Sequence, residues 1–383
     1  MIDSLILIFV GAAILASLAM FIRQPLIIVY VLLGVALGPS ALGWISDTSL
    51  VSEVSEIGIL FLLFIVGLEL PPSKLIGIFG TSLIATLVSS LLFFLVGIGA
   101  GQVFGFTWIE SVVLGIALMF SSTVLGIKLL PRTILHHRKI GEIVIGILLL
   151  QDLIAVIALV SLYLFAQVGP QGDIDMELLL ASGPILLLVA YVGPKFLIWP
   201  LMQKFDVFTE YMFLLYIGWC LALAGIAHAC GLGFELGAFI AGVSLANSPV
   251  SQSVAETLEP LRDFFLILFF FTVGARVDIM LVPDAIWQAA VLAAVLVALK
   301  PVAFRYLLAL TRVRKPIGWE VGIRLGQCSE FSLLVLFVAS PLLSRQTDHV
   351  ILLATILTML VSTYLVVLNY RNPLALSDRL RVA

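Results

Sequence analysis

One apolar run, Ile140 to Ala166, constrains this chain more than any other stretch. It is 27 residues long, and its one carboxylate away from the ends is Asp152, at the thirteenth position. With a rise of about 1.5 Å per helical residue, such a run can cross the roughly 30 Å hydrocarbon core of a bilayer. Asp152 then lies near the midplane, where acids usually face a cavity and handle ions or protons. The alternatives are a structural hydrogen bond to a neighbouring helix and an inert, protonated acid.

The composition supports a membrane protein. Of the 383 residues, 62% are hydrophobic and only 11% are charged, whereas soluble domains are typically about 45–50% apolar and about 25% charged. The net charge of −3 comes from few, dispersed groups, which excludes a nucleic-acid surface. We therefore expect a polytopic membrane protein with lipid as a partner, without nucleic acid and without a cofactor.

The apolar segments between Gly, Pro and charged residues predict an all-α protein of about thirteen transmembrane helices. We place them near residues 3–21, 25–38, 54–70, 77–100, 108–127, 140–166, 178–200, 207–229, 233–247, 262–274, 284–310, 317–338 and 347–369. Between these spans, sixteen Lys and Arg residues fall on one side and two, Arg276 and Arg345, on the other. The positive-inside rule then predicts an N-terminus outside and a cytoplasmic C-terminus.

Two pairs of segments repeat at nearly one offset. Residues 33–40, LGVALGPS, resemble residues 241–248, AGVSLANS, at an offset of 208, and residues 61–70 resemble residues 268–277 at 207. The repeat pairs the second span with the ninth, an odd shift of seven spans, so the two halves cross the membrane in opposite senses. Many secondary transporters have such inverted repeats, with the substrate near the midplane. We expect one transmembrane domain over 1–383, with repeat one at about 1–166, a linker helix at about 178–200 and repeat two at about 207–369.

The same offset of 207 relates two polar clusters inside apolar spans, Phe120-Ser121-Ser122-Thr123 and Gln327-Cys328-Ser329-Glu330. This pattern predicts two discontinuous helices, because hydroxyls can satisfy backbone groups that a break sets free. Ordinary back-bonding to the preceding turn is the alternative for any single hydroxyl. Lys300, inside the eleventh predicted span, needs a partner, and Asp152 is the natural candidate. Glu330 can offset exposed amide ends and Lys300 exposed carbonyl ends.

Motifs along the whole chain resemble those of one known family. They are GVALGPSALG, LFIVGLEL, FSSTVLG, LLLQDLIAV, AETLEPLRDFFLILFFFTVGARVD and GQCSEFSLL. Together they are similar to the monovalent cation:proton antiporter-2 family, and the resemblance is greatest to its Kef-type potassium/proton branch.

The resemblance implies a sodium/proton antiporter-like fold with a dimerising scaffold, a mobile core and two crossing discontinuous helices. It implies that Asp152 carries the cation and the proton, that Lys300 pairs with it, and that Ser121, Ser122 and Thr123 line the cavity. Related sodium/proton exchangers commonly have two adjacent acids where this chain has Gln151 and Asp152. A cytoplasmic nucleotide-binding regulatory domain, usual in Kef-type proteins, is not expected in this chain.

These features predict a K+/H+ antiporter of the bacterial inner membrane, not an enzyme, that works by alternating access, and the resemblance implies that it is a homodimer. With Asp152 as the shared site for one monovalent cation or one proton, and Gln151, Ser121, Ser122 and Thr123 around it, exchange is electroneutral. A single acid gives a weak field that suits potassium. The alternatives are a Na+/H+ antiporter of the same fold, a potassium channel-like protein and a membrane-embedded enzyme. The last needs clustered catalytic partners, and the sequence offers neither an HExxH helix nor paired intramembrane aspartates.

Overall fold

A computed structural model describes residues 2–22, 24–45, 49–70, 81–131, 139–168, 176–205, 208–248 and 251–372. Every regular element in these ranges is helical, as expected where lipid offers the backbone no hydrogen bonds. Seven helices among them are long and apolar enough to cross a membrane. Residues 373–383, which carry the predicted cytoplasmic C-terminus, lie outside the described part of the chain.

We number the helices in chain order. They are α1 (Ile2–Ile22), α2 (Leu26–Leu37), α3 (Ser49–Leu68), α4 (Thr81–Val103), α5 (Trp108–Leu118), α6 (Thr123–Lys128), α7 (Lys139–Val168), α8 (Met176–Gly193), α9 (Trp199–Phe205), α10 (Thr209–Ala229), α11 (Phe234–Leu245), α12 (Ser251–Ala275), α13 (Val282–Leu310), α14 (Lys315–Arg324), α15 (Glu330–Ala339) and α16 (Arg345–Asn369). A π-helical turn, Pro194–Ile198, joins α8 to α9, and a 3-10 turn, Ile279–Leu281, precedes α13.

Helices occupy all thirteen predicted segments within the described ranges, which confirms the fold class. The largest difference in an element boundary is at α12, which begins at Ser251 although the apolar run predicts a start near residue 262. The additional residues, 251–261, mix polar and apolar side chains, so hydropathy does not mark them as part of the span. Arg262 donates to Glu259 at 3.1 Å and to Asp263 at 2.9 Å, so these side chains pair on the helix surface.

The chain divides into two compact units, each formed by separate stretches of sequence. The first contains Met1–Asp47, Ile78–Ala155 and Val273–Ala383, and the second contains Thr48–Gly77 and Val156–Thr272. All predicted site residues belong to the first unit. The second unit has its own apolar core, in which Phe61, Phe64, Tyr216 and Trp219 are buried. The boundaries of the two sequence repeats stay a prediction.

Two spans of the first unit are interrupted in the middle, as predicted. Residues 119–122, the first break, separate α5 from α6, and residues 325–329, the second break, separate α14 from α15. Each second half begins after a serine N-cap: Ser122 accepts from the Leu125 amide and Ser329 from the Phe331 amide, both at 3.1 Å. Serine is among the preferred N-cap residues because its hydroxyl satisfies an otherwise free amide.

The repeat is visible in the helix boundaries around both breaks. Helix α14 starts 207 residues after α5, and α15 starts 207 residues after α6. A Cβ at Gly115 on α5 would lie 2.6 Å from the Phe94 carbonyl oxygen, and one at Gly322 on α14 would lie 2.7 Å from the Pro301 carbonyl oxygen. These contacts are also 207 residues apart. Glycine at each position lets the interrupted span approach the preceding helix closely.

Candidate functional site

Asp152 lies on α7 beside the first break. Its side chain is 3% exposed, and the Thr123 hydroxyl lies 3.0 Å from Oδ1 and 3.1 Å from Oδ2. Thr123 is the first residue of α6, directly after the break. The predicted ion-carrying acid and one of its predicted hydroxyl partners are therefore in contact.

Ser121 and Gln151 link the first break to α7 and to the second break. The Ser121 amide donates to Gln151 Oε1 at 3.1 Å, and the Ser121 hydroxyl donates to the Leu325 carbonyl oxygen at 2.9 Å. All three residues are fully buried or nearly so. Because Leu325 lies in the second break, the two interrupted spans meet where their helices stop.

Glu330 brings a second buried carboxylate to the same region. It is the first residue of α15 and is 4% exposed. The Ser122 hydroxyl donates to Glu330 Oε2 at 2.6 Å, and the next residue, Thr123, contacts Asp152. The last residue of the first break and the first residue of α6 thus contact the two acids, which the sequence places on different spans.

Lys300 on α13 is fully buried. Its ammonium donates to the carbonyl oxygens of Phe120 at 2.7 Å and of Gln327 at 2.8 Å, and it lies 5.3 Å from the centroid of the Phe93 ring. The two carbonyls belong to the two breaks and are 207 residues apart, as are Phe93 and Lys300. The ammonium therefore offsets the exposed carbonyl ends of both interrupted helices. The predicted pairing of Lys300 with Asp152 stays a prediction.

Arg324 is a buried charge with a structural role. Its guanidinium pairs with Glu320 at 2.9 Å and donates to the carbonyl oxygens of Leu129 and Arg371 at 2.8 and 2.9 Å. It ties the end of α14 to residues that follow α6 and α16, and its charge is balanced by Glu320. This ion pair therefore adds no net charge to the site.

Two residues of repeat two join this network without having been predicted. The Cys328 amide donates to the Thr358 hydroxyl at 3.0 Å, and the Ser362 hydroxyl donates to Gln327 Oε1 at 2.7 Å. Thr358 and Ser362 are ordinary hydroxyl residues in an apolar helix, so composition does not single them out. The repeat does contain the signal, because Thr358 stands 207 residues after Gln151.

The family model described as "Sodium/hydrogen exchanger, transmembrane" matches residues 5–368. The chain belongs to the sodium/hydrogen exchanger family. Its membership makes it a membrane-spanning cation/proton antiporter. The predicted membership in the monovalent cation:proton antiporter-2 family, Kef-type branch, is therefore wrong. The motifs behind it are compatible with the antiporter fold and do not separate one branch of antiporters from another.

Solved structures share the fold of this sodium/hydrogen exchanger. The structure of the sodium proton antiporter MjNhaP1 from Methanocaldococcus jannaschii at pH 8 matches with a TM-score of 0.71 and 16% identity over 95% of each chain. A three-dimensional electron microscopy map of the same antiporter matches with a TM-score of 0.64 and 16% identity over 94% of each chain. At this identity the similarity concerns the fold.

Proposed function

We propose that this chain is a Na+/H+ antiporter in which Asp152 carries either one sodium ion or one proton. The observation that supports this most directly is the buried Asp152 carboxylate in contact with the Thr123 hydroxyl beside a helix break. Membership in the sodium/hydrogen exchanger family favours sodium over the potassium predicted from the sequence. The similar fold of an antiporter described as a sodium proton antiporter points the same way.

The proposed sodium ligands are all oxygen atoms. Asp152 offers a carboxylate and Thr123 a hydroxyl, and interrupted helices in transporters commonly add backbone carbonyls as ligands for Na+ or H+. A proton on Asp152 removes the negative charge that attracts the cation. The two cargoes therefore exclude one another, which is the minimum requirement for exchange.

The buried charges favour a one-for-one cycle. With both acids ionised, Asp152 and Glu330 contribute two negative charges and Lys300 contributes one positive charge, which leaves one negative charge in the core. One Na+ or one H+ neutralises it equally well. Because an uncompensated charge is expensive at membrane depth, we expect the core to cross between its two states only when loaded, and the exchange to be electroneutral.

The setting of this cycle is also a proposal. We expect alternating access between the two sides of a bacterial inner membrane, with the N-terminus outside and the C-terminus in the cytoplasm. Exposed apolar side chains such as Ile2, Phe21 and Leu310, at 69%, 84% and 76% exposure, are then covered by lipid. We further expect a homodimer.

A transport assay tests the proposal. The purified protein is reconstituted into proteoliposomes that contain a pH-sensitive dye, and Na+, Li+, K+ and Rb+ are added separately across a range of pH, with and without an imposed voltage. We expect proton movement with Na+ that does not change with voltage. A response to K+ and Rb+ but not to Na+ would overturn the choice of cation, and a voltage-dependent rate would overturn the one-for-one cycle.

A further inference from the structure

Each break has one backbone amide bound by a side chain of the helix that follows in the chain. The Ser121 amide donates to Gln151 Oε1 at 3.1 Å, and the Cys328 amide donates to Thr358 Oγ1 at 3.0 Å. In both cases donor and acceptor are 30 residues apart. The two hydrogen bonds occupy equivalent places in the repeats, although one acceptor is an amide and the other a hydroxyl.

The Thr358 hydroxyl is oriented for this role. It donates its proton to the Thr355 carbonyl oxygen at 2.8 Å, within α16, so a lone pair remains for the Cys328 amide. Both Thr358 and Cys328 are fully buried. A buried backbone amide at an interrupted helix needs an acceptor, since leaving it unsatisfied is costly. Thr358 supplies that acceptor in the second break.

Gln151 has the matching orientation in the first break. Its amide oxygen is bound by the Ser121 amide, and its buried Nε2 atom has no hydrogen-bond partner among the described residues. An NH2 group donates hydrogen bonds and does not coordinate a cation. The Ser121 amide occupies one lone pair of the Gln151 oxygen, so Gln151 is placed to hold the first break as Thr358 holds the second.

We propose that Thr358 is a positioning residue for ion exchange, the counterpart in repeat two of Gln151. By anchoring the Cys328 amide it fixes the residue between Gln327, whose carbonyl binds Lys300, and Ser329, which caps α15. Loss of this anchor lets the second break change shape and moves Glu330 relative to Ser122. The inference rests on the proposed function for its effect on transport, but not for its effect on the break itself.

The first test measures the break through Cys328. In a background of Cys220→Ala and Cys230→Ala, Cys328 is the remaining cysteine of the three in the sequence. The rate at which N-ethylmaleimide modifies it reports how often the buried thiol becomes exposed to the reagent. We expect Thr358→Val to react roughly tenfold faster than the parent, the change that corresponds to one lost buried hydrogen bond. Thr358→Ser retains the acceptor and should react at the parental rate.

Thr355→Val is the matched control, because the Thr355 hydroxyl donates only along its own helix, to the Ile351 carbonyl oxygen at 2.8 Å. It removes a buried hydroxyl one turn away and should leave the Cys328 rate unchanged. Melting temperatures of all variants show whether each is folded. If Thr358→Val is not recovered folded, Thr358→Ala removes the same acceptor and is judged in the same way.

The second test measures Na+/H+ exchange by the same variants in proteoliposomes. We expect Thr358→Val to raise the apparent KM for Na+ several-fold with a smaller change in the maximal rate, and Thr358→Ser to restore it. If Cys328 in Thr358→Val is labelled at the parental rate, Thr358 does not anchor the second break. If it is labelled faster but the KM for Na+ is unchanged, Thr358 is not a positioning residue for exchange. If the parent itself exchanges no Na+, the proposed function fails, while the labelling rates still decide whether Thr358 holds the break.

Discussion

The two breaks share a backbone frame but differ in their chemistry. Both present a carbonyl to Lys300 and both restart after a serine cap. Three pairs of positions related by 207 residues then diverge: Phe93 and Lys300, Thr123 and Glu330, Asp152 and Met359. The proposed ion-carrying acid, Asp152, lies in repeat one, and the buried ammonium of Lys300 lies in repeat two.

This difference shows how a repeated structure can have a single proposed ion-binding site. Met359 is 1% exposed and occupies the place of Asp152 in repeat two, so the frame accepts an apolar side chain there without losing its hydrogen bonds. The hydrogen bonds of a break therefore do not require an acid at this position, and the acid is added for chemistry. Three of the four predictions below change one member of a related pair and compare it with the other, and the remaining prediction compares the two acids of the site.

The largest effect is expected at Asp152. Asp152→Asn removes the charge that binds the cation and the group that takes the proton, so exchange should fall by about 100-fold or more, in line with losing the group on which the step depends. Dye-loaded proteoliposomes measure the rate, and Met359→Leu at the related position is the control. Substantial exchange by Asp152→Asn would refute the assignment, as would an equal loss in Met359→Leu.

Much of the fold follows from the sequence because lipid limits the options. Helices occupy all thirteen segments that apolar length predicts, within the described ranges, and the polar clusters at 120–123 and 327–330 mark both breaks. Apolar length fails at α12, because residues 251–261 of this helix mix polar and apolar side chains. A helix that coincides with an apolar run is predictable from hydropathy, and one that continues through mixed polar and apolar residues is predicted too short.

The candidate site was predicted as a set of residues but not as a network. Asp152, Thr123 and Lys300 follow from the rarity of polar groups at membrane depth. The carbonyl partners of Lys300 lie 180 and 27 residues away in sequence, and backbone acceptors leave no trace in composition. The choice of potassium came from the resemblance to the Kef-type branch and from the single acid in the motif, and neither contains the ligand distances that decide ion preference.

The next largest effect concerns stability at Lys300. Lys300→Met leaves the carbonyl oxygens of Phe120 and Gln327 buried without this donor, which should lower the free energy of unfolding by about 2–5 kcal/mol. Thermal unfolding in detergent measures it. The related substitution Phe93→Leu removes part of a ring and no hydrogen bond, so it should cost about 1 kcal/mol. A larger loss in Phe93→Leu would show that the ammonium is not what holds the two breaks together.

A smaller effect is expected in the pH dependence of sodium binding. As the pH falls, a growing fraction of Asp152 is protonated, so the apparent KM for Na+ should rise by up to about tenfold per pH unit, the limit for one competing proton. Flux at fixed Na+ should therefore fall in acid. Glu330→Gln should keep this slope, because the proposed cycle assigns the exchanged proton to Asp152 alone. A steeper slope, lost in Glu330→Gln, would show that both acids exchange protons.

The smallest expected difference is between the two serine caps. Ser122→Ala removes the cap of α6 and the 2.6 Å hydrogen bond to the buried Glu330 carboxylate, which should cost about 2 kcal/mol in total. Ser329→Ala removes the cap of α15, and its hydroxyl lies farther from the same carboxylate, at 3.4 Å, so it should cost about 1 kcal/mol. Denaturant or thermal unfolding of the two variants side by side measures the difference. Equal costs would mean that capping alone decides both, and the reverse order would mean that Glu330 depends on its own break more than on the first.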